Sequence, residues 1–225
     1  MERKNRYKKC GKISEQKFRF ILKCFSLDFT ASDKARLTGI SIRSINDIFL
    51  KIRYRLLEEN KSGKKFSGIV EIDESYFGAK RIRGKRGRGA KGKTIVFGIL
   101  NRGGKIYTQI IPNVKKSSIL NIIQEKVEYD AIVNTDGWIV YYYLEEMGYN
   151  RHYVVNHANN EFACDDQHIN GIESFWSYAK NRLLKFNGIV KHLFVLHLNE
   201  TEFRYNNRQN NLYKILLKML RNSPL

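Results

Sequence analysis

The sequence predicts an α/β protein in which a mixed five-stranded sheet with helices on both faces follows a small all-α unit. Three observations carry this. Apolar residues recur at helical spacing over residues 15–59, and the spacing changes to strand-like alternation after the polar stretch NKSGKKFS at 60–67. Beyond it, strands and helices follow one another in the order βββαβαβ, with helices from there almost to the C-terminus. A chain of 225 residues has room for one sizeable core and an accessory unit, since single domains usually run to about 100–150 residues. The expected divisions are a helical domain over 1–59, a linker over 60–67 and a mixed domain over 68–225.

The helical part opens with Phe18, Ile21, Leu22 and Phe25 on one face. Thr30, with Asp33 three residues on, reads as a capping box for a short helix carrying Ala35 and Leu37 and stopping near Thr38. Gly39 makes the turn. Ser41 caps a second helix with Ile42, Ile45, Phe49 and Ile52 on its apolar face and Arg43, Ser44, Asn46 and Asp47 on the outer one. A short helix, a Gly turn and a second helix with a polar outer face follow the helix-turn-helix plan, in which the second helix enters the major groove of DNA. An ordinary helical hairpin fits the same pattern, and the basic surroundings favour the DNA-reading one.

In the mixed part, SGIVEIDESYF alternates like a strand, and KTIVFGIL and GKIYTQIIP read as two more, joined through a turn at Asn101 to Gly104. SSILNIIQEKV follows as a helix, DAIVNTD as a buried strand, YYYLEEMGY as a second helix and HYVVNH as a short strand. From Asn170 the chain is helical almost to its end, with a break around Asn187 and Gly188. This order is that of the ribonuclease-H-like fold.

Composition narrows the partner. Lys and Arg number 41 against 22 Asp and Glu, a formal charge of +19 spread along the chain. Such an excess fits a polyanion, and neutralising phosphates with release of condensed counterions makes nucleic acid the expected one. The densest run is KRIRGKRGRGAKGK at 80–93, with eight Lys or Arg and four Gly, a solvated loop between the first two strands. There Arg81, Arg83, Lys85, Arg86 and Arg88 can grip phosphates as bidentate forks and point charges. Cys10, Cys24 and Cys164 are odd in number and widely spaced, which argues against a disulfide framework or a zinc ribbon and fits a reducing cytoplasm. The polar residues after the basic opening and the lack of a long apolar run argue against an export signal or a membrane span. His152, His157 and His168 share no metal-like spacing on one helix and read as structural or DNA-contacting residues.

Three acids stand out. Asp73 lies inside an apolar strand, where a carboxylate is costly unless something stabilises it. Asp136 ends the strand AIVNTD, at the kind of edge where open α/β sheets place their chemistry. Glu173 opens a helix whose stripe of Ile172, Phe175, Trp176, Ala179 and Leu183 would pack it onto the sheet. Singly, each has a plain reading: a buried partner of an Arg, a turn residue before Gly137, an N-terminal helix charge. Together they predict converging carboxylates, which repel unless a cation stands between them. Hard ions such as Mg²⁺ or Mn²⁺ suit carboxylate oxygen, and two of them about 4 Å apart can clamp both oxygens of a phosphodiester displacement.

At these residues the chain resembles the DDE transposases of bacterial insertion sequences, in the branch with an ISXO-like catalytic domain. The segments that carry the likeness are VEIDESYFGAKRIRGKRGRGAKGKTIVFG, TDGW at Thr135 to Trp138, and HINGIESFWSYAKNRLLKFNGI, spanning about residues 66–190. The resemblance implies that Asp73, Asp136 and Glu173, the last two separated by 36 residues, bind two metal ions. It implies that Lys180, seven residues after Glu173 and about 10 Å along the same helix face, touches the DNA end. Glu74, Asn170 and Trp176 also match family positions, in supporting roles. It further implies double-stranded DNA as substrate, both as terminal inverted repeats and as target, and a homodimer or larger assembly on DNA. Many members carry a cysteine zinc ribbon that this sequence lacks, so recognition of the ends is expected to rest on the N-terminal helices, with Arg43, Ser44 and Asn46 outermost. A DNA-binding regulator with an inactive catalytic domain and a structure-specific nuclease of the same fold are the alternatives.

Overall fold

The structure, a computed structural model, describes residues 5–9, 13–59, 63–78, 92–155 and 168–225. The basic residues Arg81, Arg83, Lys85, Arg86 and Arg88, together with His157, Cys10 and Cys164, lie outside the described residues. The chain divides into two packed units, Ser62–Arg182 and a second built from Met1–Lys61 with Leu183–Leu225.

The larger unit is built on five strands, β1 (Ile69–Phe77), β2 (Thr94–Asn101), β3 (Ile106–Ile111), β4 (Ile132–Asp136) and β5 (His152–Val155). They stand in the order β3-β2-β1-β4-β5. The first three pair antiparallel, whereas β4 runs parallel to β1 and β5 parallel to β4. Gly103, at φ 72°, turns β2 into β3, in the left-handed region that glycine adopts without strain. Alternation gives the sheet two working faces. On one, Val70, Ile72, Phe97, Ile99 and Val133 are buried with Ile119, Leu120, Ile122 and Ile123 of α4 (Lys116–Lys126), and with Tyr141, Leu144 and Tyr149. The other face carries Glu71, Asp73 and Gly98, and there the helix Asn170–Leu184 lies against the sheet, with Ile172 and Trp176 over Gly98.

This is the ribonuclease-H-like arrangement expected from the element order. One element is shorter than expected. The segment YYYLEEMGY forms a 3₁₀ turn at Ile139–Tyr142 and a single α-helical turn, α5 (Tyr143–Glu146), that ends before Gly148 at φ 94°. The helix Asn170–Leu184 is α6.

The second unit contains α1 (Glu15–Ser26), α2 (Ala31–Thr38), α3 (Ile42–Glu59), α7 (Phe194–Asn206) and α8 (Leu212–Asn222). Thr30 and Asp33 form the capping box at the start of α2, and Gly39 closes that helix in the left-handed conformation at φ 65°. The Ser44 amide donates to Ser41 Oγ at the start of α3. Ile45, Phe49 and Ile52 are buried, as expected, but Ile42 is exposed and Ile48 joins the core in its place. A helical side chain covers the turn N-terminal to its own Cα, and Ile42, first in its helix, has no such turn to cover. The sequence reading carries the mixed domain to residue 225, whereas packing groups the C-terminal helices with the N-terminal ones. Leu216 and Leu220 of α8 are buried in one core with Phe18, Ile21, Ile45 and Phe49. A buried ion network adds to it: Glu200 of α7 accepts from Arg53 Nε at 2.6 Å and from Arg204 Nε at 2.9 Å.

Candidate active site

Asp73 sits in the middle of β1, where its strand partner is Gly98 of β2. The β1–β4 ladder runs to Ile72↔Thr135, and one step further stand Asp73 and Asp136, neighbours on parallel strands and therefore on the same face. Asp136 ends its strand in a turn that its own side chain stabilises, with Oδ1 accepting from the Trp138 amide at 3.1 Å. The preceding Thr135 is buried and its hydroxyl lies 2.8 Å from His152 Nε2 on β5.

Trp176 fixes Asp73 from above. Its Nε1 donates to Asp73 Oδ2 at 3.0 Å, and the indole gains that position because Gly98 has no side chain. A Cβ there would fall 2.6 Å from Trp176 Cζ2. A glycine inside the apolar strand KTIVFGIL is the kind of sequence signal that marks such a close approach, and the sequence reading did not use it.

Asp73 feels the acids around it. Burial, opposed by backbone hydrogen bonding and by Trp176, pushes the Asp73 carboxyl up to about 6, and the charges of Asp136 and Glu173 push in the same direction. Glu74, on the opposite face of the strand, is pushed up to about 8, first by burial and then by the charges of Asp73 and Asp136. The hydroxyl of Tyr141, fully buried, donates to Glu74 Oε1. Burial and the nearby carboxylates hold that phenol well above its usual range. Tyr141 is a second residue the sequence reading missed.

Glu173 stands in the first turn of α6 and is exposed, as is Asn170 at the helix start. Among the described residues, no three carboxylate, imidazole or thiol groups stand close enough to hold one metal ion between them. The structure thus brings Asp73 and Asp136 side by side and brings Glu173 within electrostatic range of Asp73. Lys180 belongs to the same neighbourhood: its Nζ lies 5.8 Å from the Phe77 ring centroid. Partial burial lowers its ammonium below the ordinary range, while the Asp73 charge opposes that shift.

Arg43 and Asn46 are exposed on α3, and Ser44 is half-buried. Of the histidines, His168 reaches the buried carboxylate of Glu71, with Nδ1 at 3.5 Å from Oε1. No helix among the described residues is long and apolar enough to cross a membrane.

The sequence pattern of a transposase family, the ISXO2-like transposase domain, matches residues 65–206. An "Uncharacterized transposase-like protein" of Haemophilus influenzae is 43% identical over 116 residues, which cover 52% of this chain and 93% of that protein. An "Uncharacterized protein in transposable element ISH50" of Halobacterium salinarum is 30% identical over 188 residues, 73% of this chain and 64% of that protein. The catalytic core domain of HTLV-2 integrase, solved in complex with magnesium in a dimeric form, aligns with 64% of this chain and 87% of its own. Its sequence identity is 13% and the TM-score 0.37.

Proposed function

The chain belongs to the family of ISXO2-like transposase domains, and from that premise we propose that it cuts and joins DNA at the ends of an insertion sequence. The observation that carries the reading is the adjacent pair Asp73, in the middle of β1, and Asp136, at the end of the parallel strand β4, with the charge of Glu173 felt at Asp73. A buried carboxylate whose proton affinity is raised by neighbouring carboxylate charges, as that of Asp73 is, belongs to a set that a cation would relieve.

The donor set fits a hard divalent ion, because it offers carboxylate oxygen and no soft ligand. Asp73 and Asp136, adjacent on β1 and β4, would hold it, and Glu173, which does not converge with them on one ion position in this structure, would complete the set by closing toward them. Two Mg²⁺ or Mn²⁺ ions, when bound, would activate the attacking oxygen and stabilise charge on the departing one. The residues supply the rest. Trp176 holds the Asp73 carboxylate in one orientation, and the Trp138 amide does the same for Asp136. In the first step a water oxygen bonds to phosphorus and the 3′ oxygen leaves with a proton, giving a free 3′-hydroxyl and a 5′-phosphate. In the second that hydroxyl attacks a phosphodiester of the target, whose own 3′ oxygen leaves.

Lys180, on the same helix as Glu173, is suited to a phosphate beside the reacting one. Arg43, Ser44 and Asn46 would read bases of the terminal repeat from α3 as the second helix of a helix-turn-helix. Arg81, Arg83, Lys85, Arg86 and Arg88 would hold the backbone, and Glu74, Asn170 and Trp176 support the acids. Two copies on paired ends, a homodimer or larger, are the expected assembly, since joining two ends requires that they be held together.

The deciding experiment incubates the chain with Mg²⁺ or Mn²⁺ and a plasmid carrying the flanking repeats. Nicking at the ends by the wild-type protein, lost in Asp73→Asn, Asp136→Asn and Glu173→Gln with end binding intact, supports the reading. A wild-type protein that binds the ends but is inert with both metals sinks it in favour of a regulator. A pre-cut end that is never joined to target leaves a nuclease.

A further inference from the structure

The start of α6 is held by a carboxylate outside the acidic set just described. Glu71 on β1 is fully buried. Its Oε1 accepts from Arg102 Nε at 3.1 Å, and its Oε2 accepts from the backbone amide of Ile172 at 2.9 Å. Arg102 in turn donates through Nη2 to the carbonyl of His168 at 3.0 Å. Between them the chain passes so close that any side chain on Gly171 would collide. Its Cβ would fall 2.8 Å from Glu71 Oε2 and 2.7 Å from Leu100 Cδ2.

Such a cluster has one arrangement. A buried carboxylate is costly unless it is paired and hydrogen-bonded, and here it also meets an amide in the first helical turn, which has no acceptor within the helix. The helix start is therefore tied to the sheet by the charge-assisted bond from the Ile172 amide to Glu71, and the chain just before it by the Arg102 bond to the His168 carbonyl.

Two relations of sequence give that tie a consequence. Glu71 lies two residues before Asp73 on the same face of β1, and Ile172 immediately precedes Glu173. One side chain thus joins the strand that bears Asp73 to the helical turn that bears Glu173. We propose that Glu71, with Arg102 as its counter-ion, is a positioning residue that sets where Glu173 stands relative to Asp73 and Asp136. It touches neither cation nor DNA. The inference rests on those three acids being the cation-binding set.

Glu71→Gln in the full chain tests it, because glutamine keeps the size and an acceptor for the Ile172 amide but loses the charge opposite Arg102. Mn²⁺ affinity, read from the resonance of free Mn²⁺, should weaken about 10–100-fold, the usual cost of losing a group that orients a ligand. Amide exchange over residues 169–176 should quicken in the absence of any metal. A merely structural role would lower the melting temperature and leave Mn²⁺ affinity alone. Arg102→Gln, at a side chain 21% exposed, carries the same expectation should Glu71→Gln fail to fold. Wild-type Mn²⁺ affinity and exchange in a folded Glu71→Gln or Arg102→Gln protein overturns the inference. Asp73→Asn, run in parallel, separates the two failures. If it loses Mn²⁺ while Glu71→Gln keeps it, only the positioning role falls. If the wild-type protein binds no Mn²⁺ at all, the acid set falls and the positioning role with it.

Discussion

Asp73 and Glu74 hold their protons more tightly in the folded chain than an unfolded chain would, and that has a sign. The ordinary values are 3.8 and 4.5, and the folded ones are about 6 and about 8. The folded state binds more protons than the unfolded state inside those windows, so stability is greatest below about pH 4 for these groups and falls as pH rises through 6 and 8. With metal chelated, the protein should unfold at lower urea at pH 8 than at pH 5. Asp73→Asn should gain roughly 1–3 kcal/mol at pH 8, at about 1.4 kcal/mol for each tenfold change in proton affinity, while losing cleavage. Glu74→Gln should flatten the profile between pH 5 and 8 and keep the Tyr141 hydrogen bond. Equal midpoints at both pH values in the wild-type protein would refute this account. Gly98→Ala probes the same site sterically. Its new Cβ at 2.6 Å from the Trp176 ring must displace the indole, costing about 1–3 kcal/mol and the bond to Asp73. Loss of cleavage with end binding retained is the expected pattern, and a wild-type rate would show that the indole does not need that position.

At the scale of elements, much could be read in advance, because local rules were obeyed. The Thr30–Asp33 box and the Gly39 stop each follow from a few neighbouring residues. What escaped were contacts across many positions. The Glu71–Ile172 bond spans 101 residues, and the fit of Trp176 over Gly98 depends on a sheet face meeting a helix, which no window of sequence contains. Glu71 was nevertheless hinted at, since a second acid two residues before Asp73 in an apolar strand shares its face. The exposed side of α3 yields a prediction of its own. Base contacts specify whereas phosphate contacts position, so Arg43→Ala and Asn46→Ala should weaken binding to the terminal repeats by about 1–3 kcal/mol and change binding to random DNA far less. Equal losses on both DNAs, measured by titration at fixed salt, would remove α3 from base reading.

For the molecule as a whole, the departure from expectation is the destination of the C-terminus. Periodicity assigns a helix but not the core it enters, and α8 has an apolar stripe that would suit either unit. In the structure Leu216 and Leu220 are essentially inaccessible and share a core with Phe18, Ile45, Ile48 and Ile52. The unit that would read DNA is therefore made from both ends of the chain, and its stability depends on residues beyond the acidic set. Burying a leucine in such a core is worth about 2–5 kcal/mol on truncation to alanine, a large share of the roughly 5–15 kcal/mol that holds a domain folded. Leu220→Ala should accordingly lower the unfolding midpoint of the helical unit and weaken binding to the terminal repeats. The sheet unit, with none of its side chains altered, should keep its own Mn²⁺ affinity. Calorimetry together with end binding and Mn²⁺ titration reads all three quantities. A Leu220→Ala protein that melts like the wild type would show that α8 adds nothing to the helical core. One that loses Mn²⁺ affinity in proportion to end binding would show that the two units do not hold their stability separately.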